Sequence, residues 1–410
     1  MRRRLRAAVA KLAKDTDLAE LDRIVARRGG RVWIVGGALR DLALGREAPE
    51  VDVAVDGDAR AIAEEMESRG HGRAVFLSGD RKPRVFRVAG RRRTLDVAEI
   101  EGGSIEADLA RRDFTVNAAA VDLASRRLLD PYGGLADAAR RRLRMVSGAN
   151  LLDDPLRSLR AARLMATHGL VADRETSRAC RAAAAGLGRV AQERVQAELG
   201  KLLEAPRASP ALSWAASNGL LRPATKIELS DARWRAIARA SALFDAPSVA
   251  RLPPERRRRL RLAFLAGRAG LSPADTARWL RSARWGSTEA GEVTKLAELA
   301  ESARRVPAGE DVWRWLLAAG ERAGDALTLL GALHPRARPI VRRLRNRVAR
   351  RRPIPEVRGA DVMEWAGVAP GPEVGRLLDS IRIEALAGRI RSREDARMWL
   401  SRKRQSLPGS

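Results

Sequence analysis

The chain has 410 residues, 45% of them hydrophobic and 32% charged, which allows two to four domains with cores of their own and excludes a chain disordered throughout. Its 79 Lys and Arg against 51 Asp and Glu leave a formal charge of +28, which points to a polyanion; nucleic acid is the first candidate, since a membrane surface would call for a basic amphipathic stripe with aromatic anchors. A single cysteine, Cys180, excludes an intrachain disulfide and a thiolate zinc cluster and fits a reducing cytoplasm.

Residues 1 to about 30 read as a helix, because Leu5, Val9, Leu12, Leu18, Leu21 and Ile24 recur at helical spacing. Lys11 and Lys14 interrupt its apolar side before it reaches signal-peptide length, and no later run approaches a membrane span. Then the period changes. RVWIVGG, VDVAV, AVFLS, PRVFRVAG and RRTLDVAEI read as short strands, and DARAIAEEMESRG as a helix opened by Asp58 and closed by Gly70. From about Leu151 strands vanish: helices rich in Ala, Leu and Arg follow, broken at Gly169, at Gly186 to Gly188, at Gly219 and at Pro253-Pro254. No internal repeat is present, and the end KRQSLPGS reads as loose. Cys180 and most of the nine Trp read as core.

The chemistry concentrates in VGGALRDLALGREAPEVDVAV, Val35 to Val55. Gly36 and Gly37 follow a strand, so backbone N–H groups can approach an anion, and a helix starting near Ala38 aims its positive end at the same place with Arg40 in reach of a triphosphate. Glu50 and Asp52, two apart on a strand, share a face and are the hard oxygen ligands that Mg²⁺ prefers; Asp96 in TLDVA is a candidate third. Three acids around two metals would activate a hydroxyl and stabilise a leaving pyrophosphate. Singly, each acid reads as a solvated strand residue; after a glycine pair, the set reads as a site.

GGALRD and the spaced acids, then RRDFTVNA (Arg111 to Ala118), DPYGG (Asp130 to Gly134), DDPLRSLRAARL (Asp153 to Leu164), ERVQAEL (Glu193 to Leu199) and GADVMEWAGVAPGPEVGRLLDSI (Gly359 to Ile381) stand in an order that resembles the bacterial-type class II tRNA nucleotidyltransferases, the CCA-adding enzymes and their poly(A) polymerase relatives. The resemblance is weakest between about 225 and 350. It implies an α+β fold: a polymerase-β-like nucleotidyltransferase head with a small mixed sheet and helices over 1–145, a helical neck with the nucleotide template over 146–225, a helical body over 226–350 and a helical tail for tRNA binding over 351–410. It places Arg112, Asp113 and Asn117 at the nucleotide, where an Asp accepting from a 2′-hydroxyl selects ribose. Read without the resemblance, Asp113 and Thr115 cap a helix start.

In the neck, Asp154 and Arg157 are three apart, so on a helix they share a face and form an acceptor beside a planar donor. Cytosine and adenine each offer an exocyclic amine next to a ring acceptor; uracil and guanine place a carbonyl against the Asp and are disfavoured. Arg160 and Arg163 continue the row, with Glu193 or Glu198 as pairing partners from the next helix. Gly133 and Gly134 are expected to act as a joint for motion between ATP and CTP states.

The predicted activity is template-independent transfer of C and A, or A alone, to the 3′ end of tRNA, with Mg²⁺ as cofactor, ATP and CTP as substrates, a cytoplasmic location, no membrane and the oligomeric state open. Poly(A) synthesis is a lesser alternative. Three scattered histidines, His71, His168 and His334, cannot build the His-Asp phosphohydrolase that many relatives carry. Two departures stand out: Glu50 replaces the family's first Asp, and Glu101 stands where an Arg is usual. They define the rival reading, a catalytically degraded member that only binds structured RNA; the intact Asp52, Asp96, RRDFTVN and DDPLR argue against it.

Overall fold

The computed structural model describes residues 7–10, 12, 14–77, 84–90, 93–304, 310–350 and 354–405. The chain divides into two compact units, Met1–Asp245 and Ala246–Ser410.

The first unit holds a seven-stranded sheet in the order β3-β4-β5-β2-β1-β6-β7. Its elements are α1 (Thr16–Arg27), β1 (Val32–Val35), α2 (Gly37–Ala43), β2 (Glu50–Val55), α3 (Ala59–Ser68), β3 (Arg73–Phe76), β4 (Val85–Ala89), β5 (Thr94–Glu99), α4 (Ile105–Ala110), β6 (Ala120–Asp122) and β7 (Leu128–Leu129). The single helix expected over the first 30 residues is broken at Asp15, which turns extended so that its carboxylate accepts from the N–H of Asp17 and caps α1. Leu5 lies outside the described residues. The α3 helix forms as expected, with Asp58 accepting from the N–H groups of Arg60 and Ala61.

Strand β2 pairs antiparallel with β1 and parallel with β5, and β5 pairs antiparallel with β4. Alternation along β2 buries Val51, Val53 and Val55 and turns Glu50 and Asp52 to the opposite face. The buried valines join Leu18, Leu21 and Ile24 of α1, Ile62 and Met66 of α3, and Val88, Leu95 and Val97 in one core. Each such side chain contributes about 1.5–3 kcal/mol when fully buried, so the acid-bearing strand is held from behind by packing.

After the sheet come α5 (Gly134–Ala139), β8 (Arg142–Leu143), α6 (Gly148–Asp153), α7 (Leu156–His168), β9 (Val171–Ala172), α8 (Arg174–Ala183), α9 (Gln192–Glu204), α10 (Ser209–Ser217), α11 (Leu221–Thr225) and α12 (Asp231–Ala240). Strands therefore do not end before Leu151: β9 pairs parallel with β8, a two-residue ladder too short to leave a period in the sequence. Phe114, Leu143, Leu151, Leu164, Leu170 and Cys180 form a second core. Cys180 is fully buried, and burial pushes its thiol up to about 12.

The DPYGG sequence forms a capped turn. Asp130 accepts from the N–H groups of Gly134 (2.6 Å) and Leu135 (3.1 Å) and caps α5, Gly133 takes φ +69°, and Gly134 lies against the carbonyl of Thr115 so closely that a Cβ would overlap it. Gly169 and Gly219 end α7 and α10 with positive φ, and Gly186 to Gly188 fall in a 3₁₀ segment, as the break pattern predicts.

Among its described residues the second unit is helical, including α13 (Pro254–Ala269), α14 (Pro273–Ser282), α15 (Ser287–Ala303) and α16 (Ala323–Leu333). Pro254 sits at the first helical position of α13, where the missing N–H costs nothing. The last three helices, α17 (Gly359–Ala366), α18 (Pro372–Leu386) and α19 (Arg393–Gln405), enclose Val362, Ile381, Ala385, Ile390, Ala396 and Leu400. Trp234, Trp279, Trp285, Trp313 and Trp315 are buried, as expected of core side chains, and Trp214 is half-buried. Lys403 to Gln405 extend α19, and Ser406 to Ser410 of the end expected to be loose lie outside the described residues. Among the described residues no helix is long and apolar enough to cross a membrane.

Gly134→Ala is expected to destabilise the protein by about 1–3 kcal/mol, the range for forcing extra volume into a packed position. Gly188→Ala, at an exposed position with nothing within 4 Å, should stay within about 0.5 kcal/mol of wild type. Denaturant unfolding of both variants reads the contrast.

Candidate active site

Strand β1 ends at Val35 and the chain turns through Gly36 at φ +74° before α2 begins. A Cβ on Gly36 would stand 2.6 Å from Asp52 Oδ2 and 3.3 Å from Arg112 Nη1, so only glycine lets the loop close on these two groups. The turn floors a cavity of about 940 Å³. Of the residues singled out in the sequence, Gly36, Gly37, Arg40, Glu50, Asp52, Asp96, Arg112, Asp113, Asn117, Arg157, Arg160 and Arg163 line it. Asp154 is not among the lining residues.

The strand register brings the acids together: Asp52 on β2 stands beside Asp96 on β5, and Arg87 on β4 stands opposite Asp96. Arg87 forks onto Asp96 with Nε–Oδ1 and Nη2–Oδ2 distances of 2.8 Å each, and its Nη2 lies 3.7 Å from Glu50 Oε2. Protein mass around the Asp52 carboxyl pushes it above the usual carboxylate range; Arg112 and the Gly37 N–H pull it down, while Asp96 and Glu50 push it further up. Such crowding of negative charge at oxygen donors is the electrostatic setting in which a hard divalent cation fits. The arrangement differs from an open triad in that both Asp96 oxygens are on Arg87. Among the described residues no three His, Cys, Asp or Glu side chains are arranged to hold a metal ion as they stand.

The other wall is a connected polar network. Arg112 donates to Asp108 Oδ2 through Nε (3.1 Å) and Nη2 (2.9 Å). Asp113 is buried, which by itself would raise its carboxyl, yet Arg160 beside it, the Asn117 amide and the Phe114 N–H hold it below the usual range. Arg160 reaches Asp113 Oδ2 at 3.3 Å and Glu198 Oε1 at 3.0 Å, and Arg163 reaches Glu198 Oε2 at 2.6 Å. Glu198 is therefore the cross-helix partner of the arginine row. On the other side, Asn117 donates to Asp113 at 3.0 Å and accepts from Arg40 Nη1 at 2.7 Å. Arg40, 5% exposed, also forks onto Asp41, which faces His168 Nε2 at 3.2 Å. Burial would raise the Asp41 carboxyl, but the hydrogen bonds from His168 and Arg40 and their charges hold it down at about 2.

Asp154 and Arg157 do not share a helix. Pro155 drives the residue before it out of the helical region, so Asp154 is extended at φ −130°, ψ 90°, and α7 begins at Leu156. The Asp154 carboxylate takes Arg194 Nη2 at 2.9 Å with Arg157 Nε at 3.9 Å, and Arg157 Nη1 donates to the carbonyls of Arg111 (2.6 Å) and Asn150 (3.2 Å). Glu101, where an arginine is usual, pairs with Arg111 at 3.3 Å. Arg87, Arg93, Asp41 and Lys201 line the cavity without having been singled out from the sequence. For Arg87 the signal was its place in VFRVA, on the face opposite Val88, but only the strand register names Asp96 as its partner.

A glycine turn closed on a strand carboxylate, with a second acid alongside and an arginine-rich helical wall facing them, defines a nucleotidyltransferase head. Residues 32–144 match the poly A polymerase head domain, and residues 169–226 match the segment described as a probable RNA and SrmB-binding site of polymerase A. The CC-adding tRNA nucleotidyltransferase of Geobacter sulfurreducens is 31% identical over 94% of this chain and 95% of its own. That of Synechocystis is 44% identical over 190 residues, 46% of this chain and 45% of its own length. The solved Bacillus stearothermophilus CCA-adding enzyme in complex with CTP superposes with a TM-score of 0.68 at 26% identity, over 94% of this chain and 96% of that one. The chain belongs to the class II tRNA nucleotidyltransferase and poly(A) polymerase family, as its motif order implies.

Both Asp113 and Glu198 are held below the ordinary carboxylate range, so the stability they contribute is present above about pH 4 and is lost as pH falls through their lower folded values. Glu198→Gln should shrink the acid slope of stability and, by leaving Arg160 and Arg163 short of charge, cost roughly 1–3 kcal/mol near neutrality. That is less than the about 3–5 kcal/mol of a fully buried pair because the group borders an open cleft. Urea unfolding from pH 3 to 7 measures both effects.

Proposed function

We propose that this nucleotidyltransferase extends the 3′ end of tRNA, without a nucleic-acid template, by transferring nucleoside monophosphates from CTP and ATP, and that it works in the cytoplasm. The observation that carries the reading is one cavity with Asp52, pressed against the Gly36 turn, on its floor and Arg157, Arg160 and Arg163 on its wall. Mg²⁺ would be held by Glu50 and Asp52, with Asp96 as a third oxygen donor only where Arg87 releases its carboxylate; bound there, it would offset charge on the triphosphate and favour ionisation of the attacking hydroxyl.

The remaining roles belong to side chains of this chain. The tRNA 3′-oxygen attacks the α-phosphorus, the bond from that phosphorus to the bridging oxygen breaks, and pyrophosphate leaves. The hydroxyl proton leaves to water in the open cleft, and Asp52 acts as an oxygen donor to the cation. Arg112 beside the glycine turn and Arg40 behind it keep the phosphate end electropositive. Asp113, kept ionised by Arg160, retains acceptor capacity for a ribose 2′-hydroxyl. Arg157 at the cavity wall and Asp154, 3.9 Å from it and steadied by Arg194, are proposed as the edge that pairs with cytosine or adenine and rejects uracil and guanine. The sequence left CCA addition, A addition and poly(A) synthesis open; the CC-adding relatives add C-only extension to those outcomes.

Transcripts ending before CCA, after C and after CC, each offered one NTP at a time, separate these outcomes; incorporation of C or A on at least one end is expected. No incorporation on any end by wild type, with activity appearing in Glu50→Asp, would make the natural protein an RNA-binding member of the family.

Asp52→Ala is expected to lose incorporation while tRNA affinity is kept, and Glu50→Asp to stay active. Arg157→Ala should relax discrimination against UTP and GTP by roughly 5- to 150-fold, the equivalent of about 1–3 kcal/mol for one unpaired partner. An unchanged preference in single-nucleotide assays reduces Arg157 to a clamp on the Arg111 and Asn150 carbonyls.

A further inference from the structure

Asp96 reaches the cavity with both carboxylate oxygens already taken. Arg87 stands across from it on β4, and its Nε and Nη2 each hold one Asp96 oxygen at 2.8 Å. The same Nη2 lies 3.7 Å from Glu50 Oε2, so one guanidinium serves two of the three acids proposed for Mg²⁺. Arg112 offsets the third, Asp52, beside the Gly36 turn. Arg87 and all three acids line the cavity.

Strand β4 is held on β5 without this fork. The ladder between them runs unbroken from the Val85–Ala98 pair to the Ala89–Thr94 pair, and Phe86 and Val88 on the other face of β4 are packed in the core. Burial does not lock the fork either: the Arg87 side chain is 35% exposed and that of Glu50 65%, against 16% for Asp96. The guanidinium thus lies on the solvent side of the pair, where parting two charges is far cheaper than in the interior. Asp96 stays where the strand puts it.

The chemistry of the groups decides what such a fork does beside a metal site. Arginine keeps its proton at every pH at which proteins are folded, so its charge leaves Asp96 only when the side chain moves. A hard divalent cation takes carboxylate oxygens at about 2.0–2.1 Å, and a dication and a guanidinium repel each other, so both cannot be held tightly on the same two oxygens. We propose that Arg87 competes with Mg²⁺ for Asp96: the fork and coordination by Asp96 exclude one another, and Arg87 sets the divalent concentration at which the acids exchange one cation for the other. The inference rests on the reading of Glu50, Asp52 and Asp96 as metal donors. It makes Arg87 a positioning residue, which acts on the reaction through the carboxylate it holds or releases.

The test measures binding of Mn²⁺, by the electron paramagnetic resonance of the free ion, and of Mg²⁺, by calorimetry, to the full chain with no NTP or RNA present. Arg87→Gln should bind either ion about tenfold more tightly than wild type. Most of that gain should vanish when Asp96→Asn is added, because the two substitutions act on one pair. In chelator Arg87→Gln should melt below wild type, its acids having lost their cation, and saturating Mg²⁺ should raise its melting temperature by more than it raises that of wild type. Where Arg87→Gln does not fold, Arg87→Lys carries the test: it keeps the charge, cannot fork, and should bind severalfold more tightly than wild type. A folded Arg87→Gln, or in its place Arg87→Lys, with wild-type or weaker metal affinity overturns the proposal. A gain that survives in full with Asp96→Asn also overturns it, since Arg87 would then act by distant charge alone. Binding that Asp52→Ala abolishes and Arg87→Gln leaves unmoved sinks the competition and spares the metal site. No divalent binding by wild type or by Arg87→Gln sinks the metal site itself.

Discussion

The carboxylate of Asp113 is buried and ionised, and that one charge constrains most of the cavity. An isolated carboxylate in that position would be expensive, so it is tolerable only with a cation at hand. The cation is Arg160, from a helix about 50 residues on, and Arg160 in turn needs Glu198 from α9 to balance it. Each partner is itself short of one more opposite charge, which is why the network runs on through Arg163 on one side and through Asn117, Arg40, Asp41 and His168 on the other. The helices α7 and α9 are thus fastened to the sheet-bearing part of the unit by charges that cannot be separated cheaply.

The floor of the cavity obeys a different rule, strand register. Because β2 and β5 run parallel and in step, two acids from separate parts of the sequence lie side by side, and because β4 runs antiparallel to β5, an arginine faces one of them. A slip of one residue would bury Glu50 and Asp52 in the valine core and expose the valines. The hydrophobic alternation of EVDVAV therefore does two things at once: it chooses the face for the acids and penalises every register in which they would point elsewhere.

Features that depend on near neighbours were legible in the sequence. The glycine pair, the alternating acids, the Asp58 cap and the helix ends at Gly169 and Gly219 all follow from local sterics and period, and the motifs of the resemblance located Arg112, Asp113, Asn117, Arg157, Arg160 and Arg163 on the cavity wall. What escaped depends on partners distant in sequence or on competition between two local signals. Arg87 acquires meaning only once β4 lies against β5. Asp154 was placed on a helix by spacing although Pro155, the next residue, dictates an extended backbone. The break at Asp15 lost to a strong apolar period on both sides of it, and the close approach of the Thr115 carbonyl to Gly134 is a tertiary contact that no local signal carries.

Cys180 has a consequence for handling the molecule. It is the chain's sole thiol, it is fully buried beside Leu164 and Leu170, and its proton is held to about 12. The thiolate is the nucleophilic form, so at physiological pH the native protein presents no sulfur to an oxidant or an alkylating agent. A cysteine introduced on any exposed helix would be the only reactive one. The wild-type background is thus already suited to attaching a single fluorophore or spin label, with no native cysteine to remove.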